Sequence, residues 1–261
     1  MSISPPRRIS GRDNPEFKRF LAVRARKDRD LILVEGPKLL GEVLRSNLAV
    51  KAVASDDETI NTAHLKAPSF QFSAPLMKSL SEVETHQGVI ALVERPRFAR
   101  TFLQATRAFV LILDGLQDPG NVGTLMRTAE AAGVSGVLLT RGCADPLSPK
   151  ALRASAGSAF RLPHIQDLPV LEMLALLPAS MALAAAVASA GAQPIFGEVS
   201  LTPPIALALG AEGSGLDPRI EARASCRVRI PCAREVESLN VGAAGAIGMF
   251  EIARRASILG S

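Results

Sequence analysis

In the segment "DPGNVGTLMRTAEAAG" (118–133), Asn121, Gly123 and Arg127 stand at the spacing N-x-G-x-x-x-R. On a helix, Gly123 and Arg127 are four apart and share one face. Val122, Leu125, Met126 and Ala129 then form the buried stripe. Asn121 is expected to cap the helix with its side-chain oxygen. The glycine leaves room above the arginine for a bulky group to approach. Neither G-x-G-x-x-G nor G-x-x-x-x-G-K-[ST] occurs in the chain, so dinucleotide and P-loop readings lose their main support. For this motif alone, a capped amphipathic helix with an incidental arginine is the plain alternative.

Two more segments concentrate chemistry. "ALALGAEGSGLDP" (206–218) places glycines around one carboxylate, Glu212, after a strand-like run. Such a loop lets backbone N–H and C=O groups approach a ligand directly. "VRIPCAREVESLNVGAAGAIGMFEIARR" (228–255) joins a strand, a polar loop ending in Ser238-Leu239-Asn240, and a helix rich in small residues. Those small residues cost helix stability and permit close backbone approach.

Taken in this order and spacing, the three segments resemble the SpoU (TrmH-like) family of RNA ribose 2′-O-methyltransferases, within the SPOUT class. The resemblance covers Phe109 to Arg254 and rests on N-x-G-x-x-x-R, G-x-E-x-x-G and I-P…S-L-N-V, with "KALRASAG" (150–157) similar to an intermediate segment. It implies an α/β fold whose C-terminal domain threads a deep trefoil knot, an exception to the usual rule. It also implies S-adenosylmethionine as methyl donor, a homodimer, and RNA as substrate. Gly210, Ile230 and Leu239 match cofactor-contacting positions, with Thr140 a further neighbour. Arg127, Asn121, Glu212, Ser238 and Asn240 match the functional polar positions. Arg127 is the family's candidate general base. A guanidinium stays protonated below a pH of about 12, so the alternative is that it stabilises the developing alkoxide and a phosphate. Cys232 stands where Met is usual, Arg234 where Gly is usual, and Gly242 where Ser is common.

The elements that must position these residues follow from pattern. Asp13 or Asn14 can cap a helix with Pro15 in its first turn and Phe17, Phe20 and Leu21 at helical spacing. A strand at Leu31–Val34, a helix from Pro37 to Arg45, a strand over 50–55, a short helix near 74–82 and a strand over Gly88–Glu94 complete a small α/β unit, 1–95. It is similar to the RNA-binding domain of many family members. A charged connection, 96–108, leads to the second unit, 109–261. Its expected strands are Phe109–Leu113, Gly136–Thr140, Ala182–Ala188, Ile205–Leu209 and Val228–Ile230. Propensity alone favours helix in the Ala-rich one; its place in the alternating order favours strand.

Composition narrows the classes. The 261 residues are 48% hydrophobic and 21% charged, as a globular chain should be. No Trp or Tyr is present, which argues against aromatic base-stacking platforms, although Phe can serve. The net charge of +5 is concentrated in Arg7, Arg8, Arg12, Lys18, Arg19, Arg24, Arg26, Lys27 and Arg29, against Asp13, Glu16 and Asp28. This basic arm suits phosphate tracking or a solvated helix face. Arg7, Arg8, Arg12, Lys18 and Arg19, with Lys150 and Arg153, are the candidate RNA contacts. Cys143, Cys226 and Cys232 form no C-x-x-C pair and His64, His86 and His164 are scattered, so no metal site or disulfide framework follows. Met173–Gly197 is uncharged, yet Pro178, Ser180, Ser189 and Gln193 interrupt it, which favours a core strand over a membrane span. A cytoplasmic location is expected. Ribosomal RNA is favoured over transfer RNA. The competing classes are an RNA-binding protein that kept the fold without catalysis, and a Rossmann-like dehydrogenase, whose fingerprint glycines are missing.

Overall fold

A computed structural model describes residues 6–57, 65, 67–83, 86–233 and 238–258; His64 and Arg234 lie outside them. Backbone packing divides the chain into two units: Met1–Arg97 with Leu147–Phe160, and Phe98–Pro146 with Arg161–Ser261. The "KALRASAG" segment thus groups with the first unit, whereas the sequence pattern places it within the second.

The first unit contains β1 (Arg7–Ile9), α1 (Pro15–Arg24), β2 (Leu31–Glu35), α2 (Pro37–Arg45), β3 (Val50–Ser55), β4 (Ser69–Phe72), α3 (Ala74–Leu80) and β5 (Val89–Glu94). Its sheet runs β1-β4-β3-β5-β2, with β5 antiparallel to both neighbours. Asn14 caps α1, its side chain accepting from the Glu16 N–H at 2.9 Å, and Pro15 fixes the first turn. Phe17 and Phe20 are buried and meet Phe72 edge-on, at ring separations of 5.7 and 5.3 Å. β1 and β4 carry no sequence expectation. Both are short, and only Ile9 of β1 is buried. Arg7 and Arg8 therefore sit on a sheet edge, where Arg8 donates to Gln71 at 3.1 Å.

The second unit contains β6 (Phe109–Asp114), α4 (Pro119–Ala131), β7 (Gly136–Thr140), β8 (His164–Leu168), α6 (Val170–Leu176), β9 (Ala182–Ala186), β10 (Gln193–Pro194), β11 (Ile205–Gly210), α7 (Pro218–Arg223), β12 (Cys226–Arg229) and α8 (Val241–Arg255). The intervening helix, α5 (Pro149–Ser155), packs on β2 in the first unit. The second sheet is wholly parallel, in the order β10-β12-β9-β11-β6-β7-β8. Parallel strands buried on both faces read as continuous apolar runs, and "FVLIL" and "IALAL" do. β9 obeys the same rule with small residues. Leu183, Ala184 and Ala185 are fully buried between β11 and β12, so sheet position overrides alanine's helix preference. Met173–Gly197 therefore holds β9 and β10 after the end of α6, and no helix among the described residues is long and apolar enough to cross a membrane. The stretch expected as a connection carries a 3-10 turn, Arg100–Gln104, that buries Phe102 and Leu103 in the core.

Helix α8 lies against α4 and β11. A Cβ on Gly245 would meet Leu125 Cδ2 at 2.2 Å and Leu209 Cδ1 at 2.8 Å. The small residues thus serve contact with the chain's own core. Near the other end of α8, Glu251 is buried, accepting from Arg254 (2.9 Å at each of two nitrogens) and Arg255 (2.7 Å). Arg255 also donates to the carbonyls of Ile195, Gly197 and Val199, at 2.7, 2.9 and 2.6 Å.

Those arginine bonds, Arg254 first, hold the Glu251 carboxyl down from 4.5 to about 2. A depressed folded-state value contributes stability that is complete above 4.5 and is lost as pH falls towards about 2. Glu251→Gln should therefore flatten the acid limb of the stability profile. Thermal melts across this range check it; equal acid slopes for both proteins would refute it.

Candidate active site

Three loops leave the carboxyl ends of β6, β11 and β12, where open parallel sheets bind ligands. The first does not begin α4 as expected. Asp118 is the N-cap, its carboxylate accepting from the Asn121 N–H at 3.2 Å, with Pro119 at the first helical position. The Asp-Pro pair is the stronger start signal, and it leaves the Asn121 side chain free for other partners.

That side chain meets the other two loops. Glu212 Oε1 accepts from Asn240 Nδ2 at 2.7 Å, the Val241 N–H at 3.3 Å and Asn121 Nδ2 at 3.5 Å. Asn240 Nδ2 also approaches Asn121 Oδ1 at 3.4 Å. Asn240 caps α8, its Oδ1 accepting from the Gly242 N–H at 2.9 Å. The Glu212 carboxylate thus sits at a helix N-terminus, where backbone dipoles favour negative charge. One residue from each motif meets at this point.

Beside the cluster is a cavity of about 400 Å³, within the size range of small-ligand sites. Gly210, Ile230 and Leu239 line it, as do Glu212, Ser238 and Cys232. Gly210 has no substitute here: an added Cβ would lie 2.2 Å from the Gly215 carbonyl. The glycine-rich loop folds back on itself through the Gly215 N–H, which donates to Ala211 O at 2.9 Å.

Other expected residues are placed elsewhere. Thr140 does not reach the cavity wall. It is 1% exposed and donates from Oγ1 to Asp114 Oδ1 at 2.7 Å. Arg127 is exposed on α4, with no hydrogen bond or ion pair to another described residue, so Glu212 does not tether it. Lys18 pairs with Asp13 at 3.2 Å and Arg19 with Glu16 at 3.9 Å. Arg7 and Arg12 are exposed, as is Lys150 in α5; Arg153 is half-buried there. The three cysteines are half-buried.

Asp114 and Asp217 carry no sequence expectation. Asp217 caps α7, and its carboxyl is lowered to about 2, chiefly by the Arg219 side chain. A signal exists: Asp217-Pro218 repeats the Asp118-Pro119 pattern, and Asp114 is a carboxylate ending a buried strand.

Comparison with known proteins fits this geometry. The SpoU rRNA Methylase family profile matches residues 108–250, and the MRM3-like substrate binding domain profile matches residues 8–91. The chain is 31% identical over 252 residues to the 23S rRNA (guanosine(2553)-2′-O)-methyltransferase RlmP of Bacillus subtilis, covering 94% of this chain and 99% of that protein. In fold it is similar to the AdoMet-bound rRNA methyltransferase from Sinorhizobium meliloti, with a TM-score of 0.83 at 24% identity over 97% of this chain and 99% of that one. It is also similar to the SpoU methyltransferase AviRb from Streptomyces viridochromogenes in complex with AdoMet, with a TM-score of 0.83 at 23% identity over 95% and 100%.

Removing Glu212 should loosen the start of α8. A hydrogen bond to a charged group contributes about 1.5–3 kcal/mol and less where exposed, so Glu212→Ala should speed amide exchange at Val241 by about tenfold. Hydrogen-exchange mass spectrometry of residues 238–246 reads this. Unchanged exchange would show that the cluster holds nothing together.

Proposed function

The chain belongs to the SpoU rRNA methylase family, and we propose that it transfers the methyl group of S-adenosylmethionine to a ribose 2′-hydroxyl of ribosomal RNA. The observation that carries this reading is the meeting of Asn121, Glu212 and Asn240 beside the cavity lined by Gly210, Ile230 and Leu239. The cavity suits a small, partly apolar ligand. Its volume is adequate, Gly210 and Gly215 contribute to one wall, and Glu212 offers a carboxylate, while Glu221 beyond it is paired with Arg227 at 3.6 Å. When bound, S-adenosylmethionine supplies a methyl group already activated on a sulfonium.

The chain's residues then have two tasks, alignment and management of the hydroxyl proton. Alignment of two reactants can contribute roughly 7–11 kcal/mol to lowering the barrier. Gly210, Ile230 and Leu239 would hold the donor, while Ser238 and Asn121 orient the ribose. Asn240 and Glu212 brace the loops around them. Arg127 would stabilise the developing alkoxide and a neighbouring phosphate, which suits a guanidinium that stays charged. The proton would pass to phosphate or water.

The deep knot and the homodimer belong to this proposal. β12 lies beside β9, yet the chain after it returns to place Asn240 against Asn121; such a return suits a threaded path. Ala243, Ile247 and Phe250 follow one another along α8 at helical spacing. Phe250 is 40% exposed, which suits packing against a second copy. The first unit would take the RNA. Arg24, Arg26, Lys27 and Arg29 are exposed and make no ion pair with a described residue, whereas Asp28 accepts from the Asp30 and Leu31 N–H groups. These residues join Arg7, Arg8, Arg12, Lys18, Arg19, Lys150 and Arg153 as candidate RNA contacts.

Two outcomes are expected. Label from methyl-labelled S-adenosylmethionine should appear in ribosomal RNA taken from cells lacking the protein, and Arg127→Ala should lower the rate at least about a hundredfold. Cofactor binding with no label on any RNA would overturn the proposal for free RNA. Changing Arg24, Arg26, Lys27 and Arg29 to Gln should lower the slope of log affinity for RNA against log salt by about 3. An unchanged slope would remove these four from the contact surface.

A further inference from the structure

Asp114 ends β6 opposite Gly210 of β11. Its carboxylate is buried, and each oxygen has its own partner. Thr140 Oγ1 donates to Oδ1 at 2.7 Å, and the Asp217 N–H donates to Oδ2 at 2.7 Å. Thr140 Oγ1 in turn accepts from the Gly115 N–H at 3.1 Å. The glycine-rich loop after β11 is therefore fastened at two ends. Glu212 fastens its start to the α8 N-terminus, and Asp114 fastens its finish to β6 and β7.

Between those anchors Leu216 is buried in the core, and the three residues before it are not. Gly213, Ser214 and Gly215 are exposed, and the bond from the Gly215 N–H to Ala211 is local. Yet Gly210, Glu212, Gly215 and Leu216 form one wall of the cavity. Asp114 lies on the loop's other side, lining a shallower groove with Arg141 and Arg219. It does not line the cavity itself.

We propose that Asp114 is a positioning residue for the methyl donor, acting through the Asp217 N–H to fix the loop wall. The inference rests on S-adenosylmethionine occupying the cavity. A carboxylate suits the post because it accepts from two donors with no hydrogen of its own. Asparagine can keep both links by turning its carbonyl to the Asp217 N–H and its amide to Thr140 Oγ1. Alanine leaves the buried Thr140 hydroxyl and the part-buried Asp217 N–H without this acceptor.

The test is calorimetric binding of S-adenosylmethionine to the full chain, with methyl-transfer kinetics alongside. Asp114→Ala should raise Kd and KM for the donor at least about tenfold, while kcat at saturation falls less than about threefold. Asp114→Asn should restore most of the affinity. Thr140→Val, which keeps the Asp217 link, should raise Kd by a smaller factor, and it decides the question if the alanine variant does not fold. A folded Asp114→Ala protein that binds within about twofold of wild type overturns the proposal. So does an unchanged Kd in Thr140→Val when the alanine variant does not fold, or an equal loss in the alanine and asparagine variants. Failure of the wild type to bind the donor overturns the cavity assignment instead.

Discussion

A single carboxylate oxygen, Glu212 Oε1, gathers three donors from two places that lie far apart in the chain, Asn121 and the Asn240–Val241 pair. The meeting of the three motifs depends on its satisfaction. It needs the α8 N-terminus to point at it, which requires Asn240 to turn the chain into that helix. It needs α4 alongside, which requires the close approach at Gly245. The glycines and the carboxylate are therefore one requirement: without the close approach the donors would not converge, and without the convergence a helix so rich in small residues would have a weak start.

Much of this arrangement is legible in the amino-acid order. The alternation of strands and helices marks five of the seven strands of the second sheet, including Ala182–Ala186, where local propensity points the other way, and passes over β8 and β10. The three motifs contain Asn121, Glu212 and Asn240, and these residues do meet. The features that sequence does not disclose are decided by tertiary partners. β1 and β10 are too short to show a period. Asp114 carries no motif and acquires its meaning only when the Asp217 N–H arrives from a distant loop. Asn121 reads as a cap, wrongly, because a cap and an interior first-turn residue share a composition, and Asp118-Pro119 decides between them.

The first unit divides its charge unevenly. Lys18 and Arg19 are paired with carboxylates, while Arg26, Lys27 and Arg29, just beyond α1, form no ion pair with a described residue. Paired surface charges contribute little to stability, so the pairing matters more for where an anion meets net positive potential. The family to which the chain belongs handles RNA, and the same backbone that makes Phe17 and Phe20 core residues presents these cations outward.

Helix α8 touches the cavity region at both ends. Asn240 binds Glu212 at one end, and Arg255 at the other holds the carbonyl of Ile195, itself a cavity residue. A rod pinned twice to one chamber cannot tilt without changing that chamber. By thermodynamic reciprocity, any molecule that prefers one tilt of α8 alters affinity in the cavity, and a ligand in the cavity alters that molecule's affinity by the same factor. A molecule that took hold of the outer face of the helix would therefore act on the cavity as well.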